Sequence, residues 1–223
     1  MQLGIFAKTF ERPNVNETFK VIADHDIHTV QFNMSTVGLD SLPDKVSDSE
    51  IKEIQAASKK YNIQLSALSG TFNMAHPNIK HRQEESKRFA VLIEAAKRLG
   101  TSIITLCTGT RDTSSIWKFH SDNSSKEAWR DLCETLEPAL ILAQEHNLIL
   151  AFEPETSNVV SSARRGRQLL DEMKSPNLKV IMDGANLFTS ETLSKQQEVF
   201  DEAFGLLGNE IVLAHAKDFT ATD

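Results

Sequence analysis

"LILAFEPETSN", residues 148–158, decides how the rest of the chain is read. Its first five residues are apolar without a break, so they read as a parallel strand covered on both faces. The run then stops at Glu153, turns at Pro154 and offers a second carboxylate at Glu155. A buried strand that ends on acids delivers charge to one rim of its sheet.

Other strands end in the same manner. Comparable apolar runs are "LGIFA" (3–7), "HTVQF" (28–32), "IQLSAL" (63–68), "SIITLC" (102–107), "LKVIM" (178–182) and "EIVLAH" (210–215), which makes seven with 148–152. Between them the spacing predicts helices over 16–25, 48–61, 82–100, 125–146, 161–173 and 192–207. In "RQEESKRFAVLIEAAKRLG" the residues Phe89, Leu92, Ile93, Ala96 and Leu99 recur at three and four, and Gly100 stops the helix. The acidic "SDSE" before Ile51 suits a helix N-terminus. Pro138 removes a backbone donor within 125–146, so a kink or break is expected there.

Repeated strand and helix units with buried strands leave two architectures, a closed barrel or an open doubly wound sheet. Polar residues follow nearly every strand: Lys8, Asn33, Ser69, Thr108, Glu153, Asp183 and His215. A (β/α)8 TIM barrel gathers such positions at one mouth, whereas an open sheet concentrates them at a single switch point. No G-x-G-x-x-G follows a strand, which removes the main support for a dinucleotide fold. The expectation is therefore a single α/β TIM-barrel domain over 1–223 whose eighth β/α unit is missing from the chain. The two sheet edges this leaves open are prone to pairing and leave room for a homo-oligomer.

Composition narrows the function. The chain has 223 residues, of which 40% are hydrophobic and 25% charged, enough for a substantial core. A net charge of −7 disfavours nucleic acid and anionic membranes as partners. Cys107 and Cys133 are the two cysteines and form no CxxC, and "MQLGIFAKTF" lacks the layout of a signal peptide. A reduced, cytoplasmic setting is expected.

Glu153, Asp183 and His215 end successive strands, and adjacent strands lie about 4.8 Å apart, so the three side chains can converge on one ion. Two carboxylates and an imidazole suit Mn²⁺, Co²⁺, Mg²⁺ or Zn²⁺ and do not choose among them. Cys107 ends an apolar strand without a nearby base, so it reads as a core thiol rather than a nucleophile.

The segments "LAFEPE" (150–155), "VIMDGANLF" (180–188) and "LAHAKDF" (213–219), with "GIFAKTF" (4–10), "VQFN" (30–33) and "CTGTRD" (107–112), resemble the sugar phosphate isomerase/epimerase family of xylose isomerase-like TIM barrels. The resemblance implies a divalent ion held by Glu153, Asp183 and His215, with a fourth acidic ligand after an eighth strand beyond Asp223. It also implies that Glu153 serves as the base that takes a proton from the carbon beside a substrate carbonyl, through an enediolate. In ketose epimerases of the family a His stands where this chain has Asn186. An amide can bond a hydroxyl but cannot exchange a proton near neutral pH.

Further residues fall on the mouth. Arg111 could hold an anionic group or pair with Asp112. His76, Trp117 and His120 lie in loops after the third and fourth strands, where rings can cover a sugar or simply pack. Glu155 is a candidate for orienting substrate, or a solvated loop acid, and Lys217 could meet an anion. The expected activity is a metal-dependent isomerase or epimerase of a small sugar or sugar derivative. The alternatives are a keto-polyol dehydratase and a non-catalytic ligand-binding barrel.

Overall fold

A computed structural model describes residues 2–218. Its strands are β1 (Ile5–Phe6), β2 (Thr29–Phe32), β3 (Gln64–Ser69), β4 (Ile103–Cys107), β5 (Ile149–Glu153), β6 (Leu178–Asp183) and β7 (Ile211–His215). Helices α1 (Val15–Asp24), α2 (Asp48–Tyr61), α3 (Ile79–Leu99), α4 (Lys126–Glu145), α5 (Ala163–Met173) and α6 (Gln196–Leu207) alternate with them. All neighbouring strands pair in parallel and in chain order. Sequential order without a reversal removes the doubly wound alternative.

The sheet is curled into an incomplete barrel. Nε2 of His215 on β7 lies 2.9 Å from Oε1 of Gln31 on β2, and the Phe6 and His215 rings are 4.9 Å apart. In a flat sheet β2 and β7 would stand about 24 Å apart, five spacings of roughly 4.8 Å. Only curling brings them into contact. Among the described residues β1 and β7 do not pair, and Val212 and Ala214 on β7 are exposed where no helix covers the strand. The expected fourth acidic ligand lies outside the described residues.

Helix ends follow the local chemistry. Ser47 and Glu50 form a capping box at the start of α2, satisfying amides that the helix cannot pair internally. Gly100 ends α3 at φ 77°, a conformation that is nearly free for glycine. Pro138 does not break α4, which runs unbroken through it. Its position explains this. Pro138 and Glu134, whose carbonyl loses its partner, are both exposed, so water can satisfy the freed oxygen. Replacing Pro138 with Ala should raise stability by about 1–3 kcal/mol, read as a higher urea midpoint with an unchanged slope.

Candidate metal centre

Strand periodicity places the central side chains. On β2 to β5, Gln31, Ser69, Thr105, Ala151 and Glu153 occupy alternate positions, and Gln31 reaches both Ser69 and Thr105 across the sheet. The pairing of β6 with β7 sets Asp183 opposite His215. Glu153, Asp183 and His215 are the last residues of their strands and converge at one mouth, with one ligand atom from each lying within 4.8 Å of the others. Nδ1 of His215 is 3.2 Å from Oε2 of Glu153 and 3.8 Å from Oδ2 of Asp183.

Asp183 is only 2% exposed, so its charge needs compensation from protein groups. Its Oδ1 accepts hydrogen bonds from the backbone amides of Ala185 and Asn186, at 3.0 and 3.3 Å. The Lys217 ammonium sits 3.0 Å from Oδ2 and also donates to Oδ1 of Asn186 at 2.5 Å. Asn186 in turn donates through Nδ2 to Oε1 of Glu153. One bonded chain thus runs from Lys217 through Asn186 to Glu153. In the turn after β6 that carries Asn186, Gly184 packs on the Phe200 ring so closely that an added Cβ would come within 2.8 Å of it.

Glu155 sits beside this cluster, half-buried. Its Oε1 accepts from the Ser157 hydroxyl at 2.8 Å. Burial pushes its carboxyl above the usual range, the Ser157 hydrogen bond opposes that, and the like charge of Glu153 adds to it. The loop acid is therefore within the electrostatic reach of the centre.

The other residues expected at the mouth are held differently. Nη1 of Arg111 donates to the carbonyl of Ala75 at 3.0 Å and to Oδ2 of Asp131 at 2.6 Å, while Lys118 takes Asp112. Arg82 joins the same carboxylate at 3.2 Å, so Asp131 ties α3, α4 and the loop after β4 together. His76 uses Nδ1 to accept from the Asn78 amide and its ring lies tilted with its centroid 4.2 Å from that of His81, and burial lowers its pKa. His120 caps a short turn by accepting from the Asp122 amide at 3.2 Å. Trp117 is 59% exposed in the same loop, and Phe119 is equally open.

Cys107 is buried and donates to Oδ1 of Asn158 at 2.8 Å. Burial raises its pKa far above the ordinary thiol value, which removes the thiolate that nucleophilic chemistry needs. Cys133 is pushed up to about 12, again mainly by burial.

Two groups were not singled out from sequence. Gln31 carries a signal, because in "TVQF" it is a long carboxamide between the apolar Val30 and Phe32. Asp131 carries none, since an acid in an amphipathic helix ordinarily faces water.

The chain matches the model of the xylose isomerase-like TIM barrel over residues 19–223 and belongs to that family. The apo 3-keto-D-glucoside 4-epimerase of E. coli superposes with a TM-score of 0.77 at 16% identity, covering 98% of this chain and 79% of that one. D-psicose 3-epimerase of Clostridium cellulolyticum H10, solved with D-tagatose, gives 0.71 at 17% identity, over 93% of this chain and 71% of that one. The probable 3-DHS dehydratase AsbF of Bacillus anthracis gives 0.75 at 14% identity, over 99% and 74%. No curated protein matches the chain in sequence. Among the described residues no helix is long and apolar enough to cross a membrane.

The buried pairing at Asp131 yields a direct test. Asp131→Ala leaves the largely buried guanidinium groups of Arg82 and Arg111 without their shared carboxylate and should cost about 3–5 kcal/mol in urea unfolding. A loss below about 1 kcal/mol would show that the arginines are adequately solvated without it.

Proposed function

We propose that this chain is a divalent-metal-dependent isomerase or epimerase acting on a small sugar or sugar derivative. The observation that carries the reading is the convergence of Glu153, Asp183 and His215 at the strand ends of a xylose isomerase-like barrel. Two oxygen donors and an imidazole nitrogen, one carboxylate almost fully buried, fit a hard or borderline dication such as Mn²⁺, Co²⁺, Mg²⁺ or Zn²⁺. Bound there, such an ion supplies Lewis-acid polarisation of substrate oxygens.

The chain's own groups account for the rest of the chemistry. Glu153 takes the proton from the carbon beside the substrate carbonyl, and its carboxylate is held for this by the Asn186 amide. The C–H electron pair moves toward the carbonyl oxygen to give an enediolate; a proton returned to the opposite face of the same carbon gives the epimer, and a proton added to the former carbonyl carbon, with the adjacent hydroxyl's proton passing to the first oxygen, gives the isomer. Lys217 carries positive charge at the mouth, where negative charge develops on substrate oxygen. Asn186 presents an amide to a hydroxyl without trading protons with it. Glu155, His76, Trp117 and His120 form the proposed outer rim for a hydroxylated substrate. Arg111 contributes by holding the loop after β4 through Asp131.

A second reading is a dehydratase, in which the same proton abstraction is followed by loss of a neighbouring hydroxyl as water. The amide at Asn186 favours it, because this position cannot return a proton to the opposite face. Incubation of the purified protein and Mn²⁺ with ketoses and keto-polyols in D₂O separates the readings by NMR. Deuterium at the carbon beside the carbonyl with the carbon skeleton's hydroxyls retained supports the first, and a conjugated enone supports the second. Binding without exchange across the panel would favour a non-catalytic barrel. Glu153→Gln should lower turnover by about 10²–10⁴-fold. Asp183→Ala should abolish tight Mn²⁺ binding in calorimetry while leaving the circular dichroism spectrum intact, and undiminished affinity would remove the metal assignment.

A further inference from the structure

Gln31 lies within β2, is 8% exposed, and has no part in the chemistry proposed above. Its carboxamide is fully engaged. Nε2 donates to Oγ of Ser69 and to Oγ1 of Thr105, each at 3.1 Å, and Oε1 lies 2.9 Å from Nε2 of His215. With both amide hydrogens directed to hydroxyls, the carbonyl faces the imidazole. The imidazole nitrogen opposite it must then carry a hydrogen.

A neutral imidazole carries one ring hydrogen, so placing it on Nε2 leaves a lone pair on Nδ1. Nδ1 is the nitrogen that faces Glu153 and Asp183. We infer that Gln31 is a positioning residue that fixes the Nε2–H tautomer of His215 and so reserves Nδ1 as the ligand atom for a divalent cation. The inference rests on the metal-dependent reading above. In this orientation the hydroxyls of Ser69 and Thr105 accept both amide hydrogens, and the amide presents its oxygen to the ring. Phe6, with its ring 4.9 Å from that of His215, restrains the imidazole from the β1 side.

The opposite amide orientation has a distinct consequence. It would direct an N–H at Nε2, move the ring hydrogen to Nδ1 and point that hydrogen at Oε2 of Glu153. His215 would then close on an acid instead of presenting a lone pair to a cation. The two arrangements respond in opposite senses to a carboxylate at position 31, which accepts from Nε2–H but repels an Nε2 lone pair.

The test combines Mn²⁺ calorimetry with ¹⁵N NMR of histidine-labelled, metal-free protein, on the full chain and on Gln31→Met and Gln31→Glu. Loss of an outer partner of a metal-bound histidine typically costs 10–100-fold in affinity, so Gln31→Met should weaken Mn²⁺ binding by about that factor and mix the His215 tautomers. Gln31→Glu should recover affinity to within about threefold of wild type and keep the hydrogen on Nε2. The inference is overturned if wild-type His215 carries its hydrogen on Nδ1, if Gln31→Met matches wild type, or if Gln31→Glu binds more weakly than Gln31→Met. Should Gln31→Met fail to fold, the wild-type spectrum and Gln31→Glu decide the matter. Equal Mn²⁺ affinity of wild type and Asp183→Ala would instead refute the metal reading, while the tautomer spectrum still judges Gln31 separately.

Discussion

Strands β2 to β6 of this sheet are covered twice, by helices outside and by the curl of the sheet inside, and the two faces have unequal room. The residues alternating with the inward set on β2, β4 and β5 include Val30, Phe32, Ile104, Leu106, Leu150 and Phe152, all buried. The inward set is smaller or polar, with Gln31, Ser69, Thr105 and Ala151 at the centre. Large side chains on one face and small ones on the other let the sheet bend toward the small face without leaving a void. The curl is what makes His215 on β7 a neighbour of Gln31 on β2. Without it the three strand-end side chains would still be adjacent, but the imidazole would have no partner behind it.

The same bend explains why polarity is tolerated in the interior. A buried carboxamide is costly unless its donors and acceptor are all matched, and Gln31 matches them with two hydroxyls and one ring nitrogen. Ser69 and Thr105 are short enough to leave room for the amide between strands. Each member is therefore constrained by the others, which gives the centre a fixed floor although Glu155 lies in the loop beyond β5.

Much of this was legible in the sequence because strands and helices here obey simple periodicities. The seven apolar runs became the seven strands, with shifts of one or two residues at their ends, and α2 spans 48–61 as its capping signal indicates. The three metal-ligand candidates were legible for the same reason, since a strand that ends on a polar residue exposes it at a rim. Pro138 signals a kink or break from sequence alone, because sequence does not reveal which face of a helix meets water, and the helix runs unbroken through it. Arg111 was less legible still. Its partner Asp131 is twenty residues away on α4, and only the packing of α3 and α4 brings Arg82 to the same acid. Long-range polar pairing depends on tertiary geometry and leaves no periodic trace.

Charge balance at the mouth links these observations. Like charges about 5 Å apart repel by roughly 3 kcal/mol at an effective dielectric of 20, so Glu153 and Asp183, with oxygens within 4.8 Å of each other, cannot be brought together at no cost. Burial of Asp183 adds to the penalty. The protein answers with one ammonium, Lys217, and with amides from Ala185 and Asn186, which offset the charge of Asp183 from one side. Glu153 receives the neutral amide of Asn186, and its other oxygen faces Nδ1 of His215. A ring hydrogen on Nδ1 would give Glu153 a donor, whereas a lone pair there leaves two acids and a nitrogen facing one another around a shared space. Gln31 biases the ring toward the second state. Under the proposed metal-binding reading this keeps open an electrostatic deficit that a dication would remove, and would couple the buried amide floor of the barrel to the affinity of its mouth.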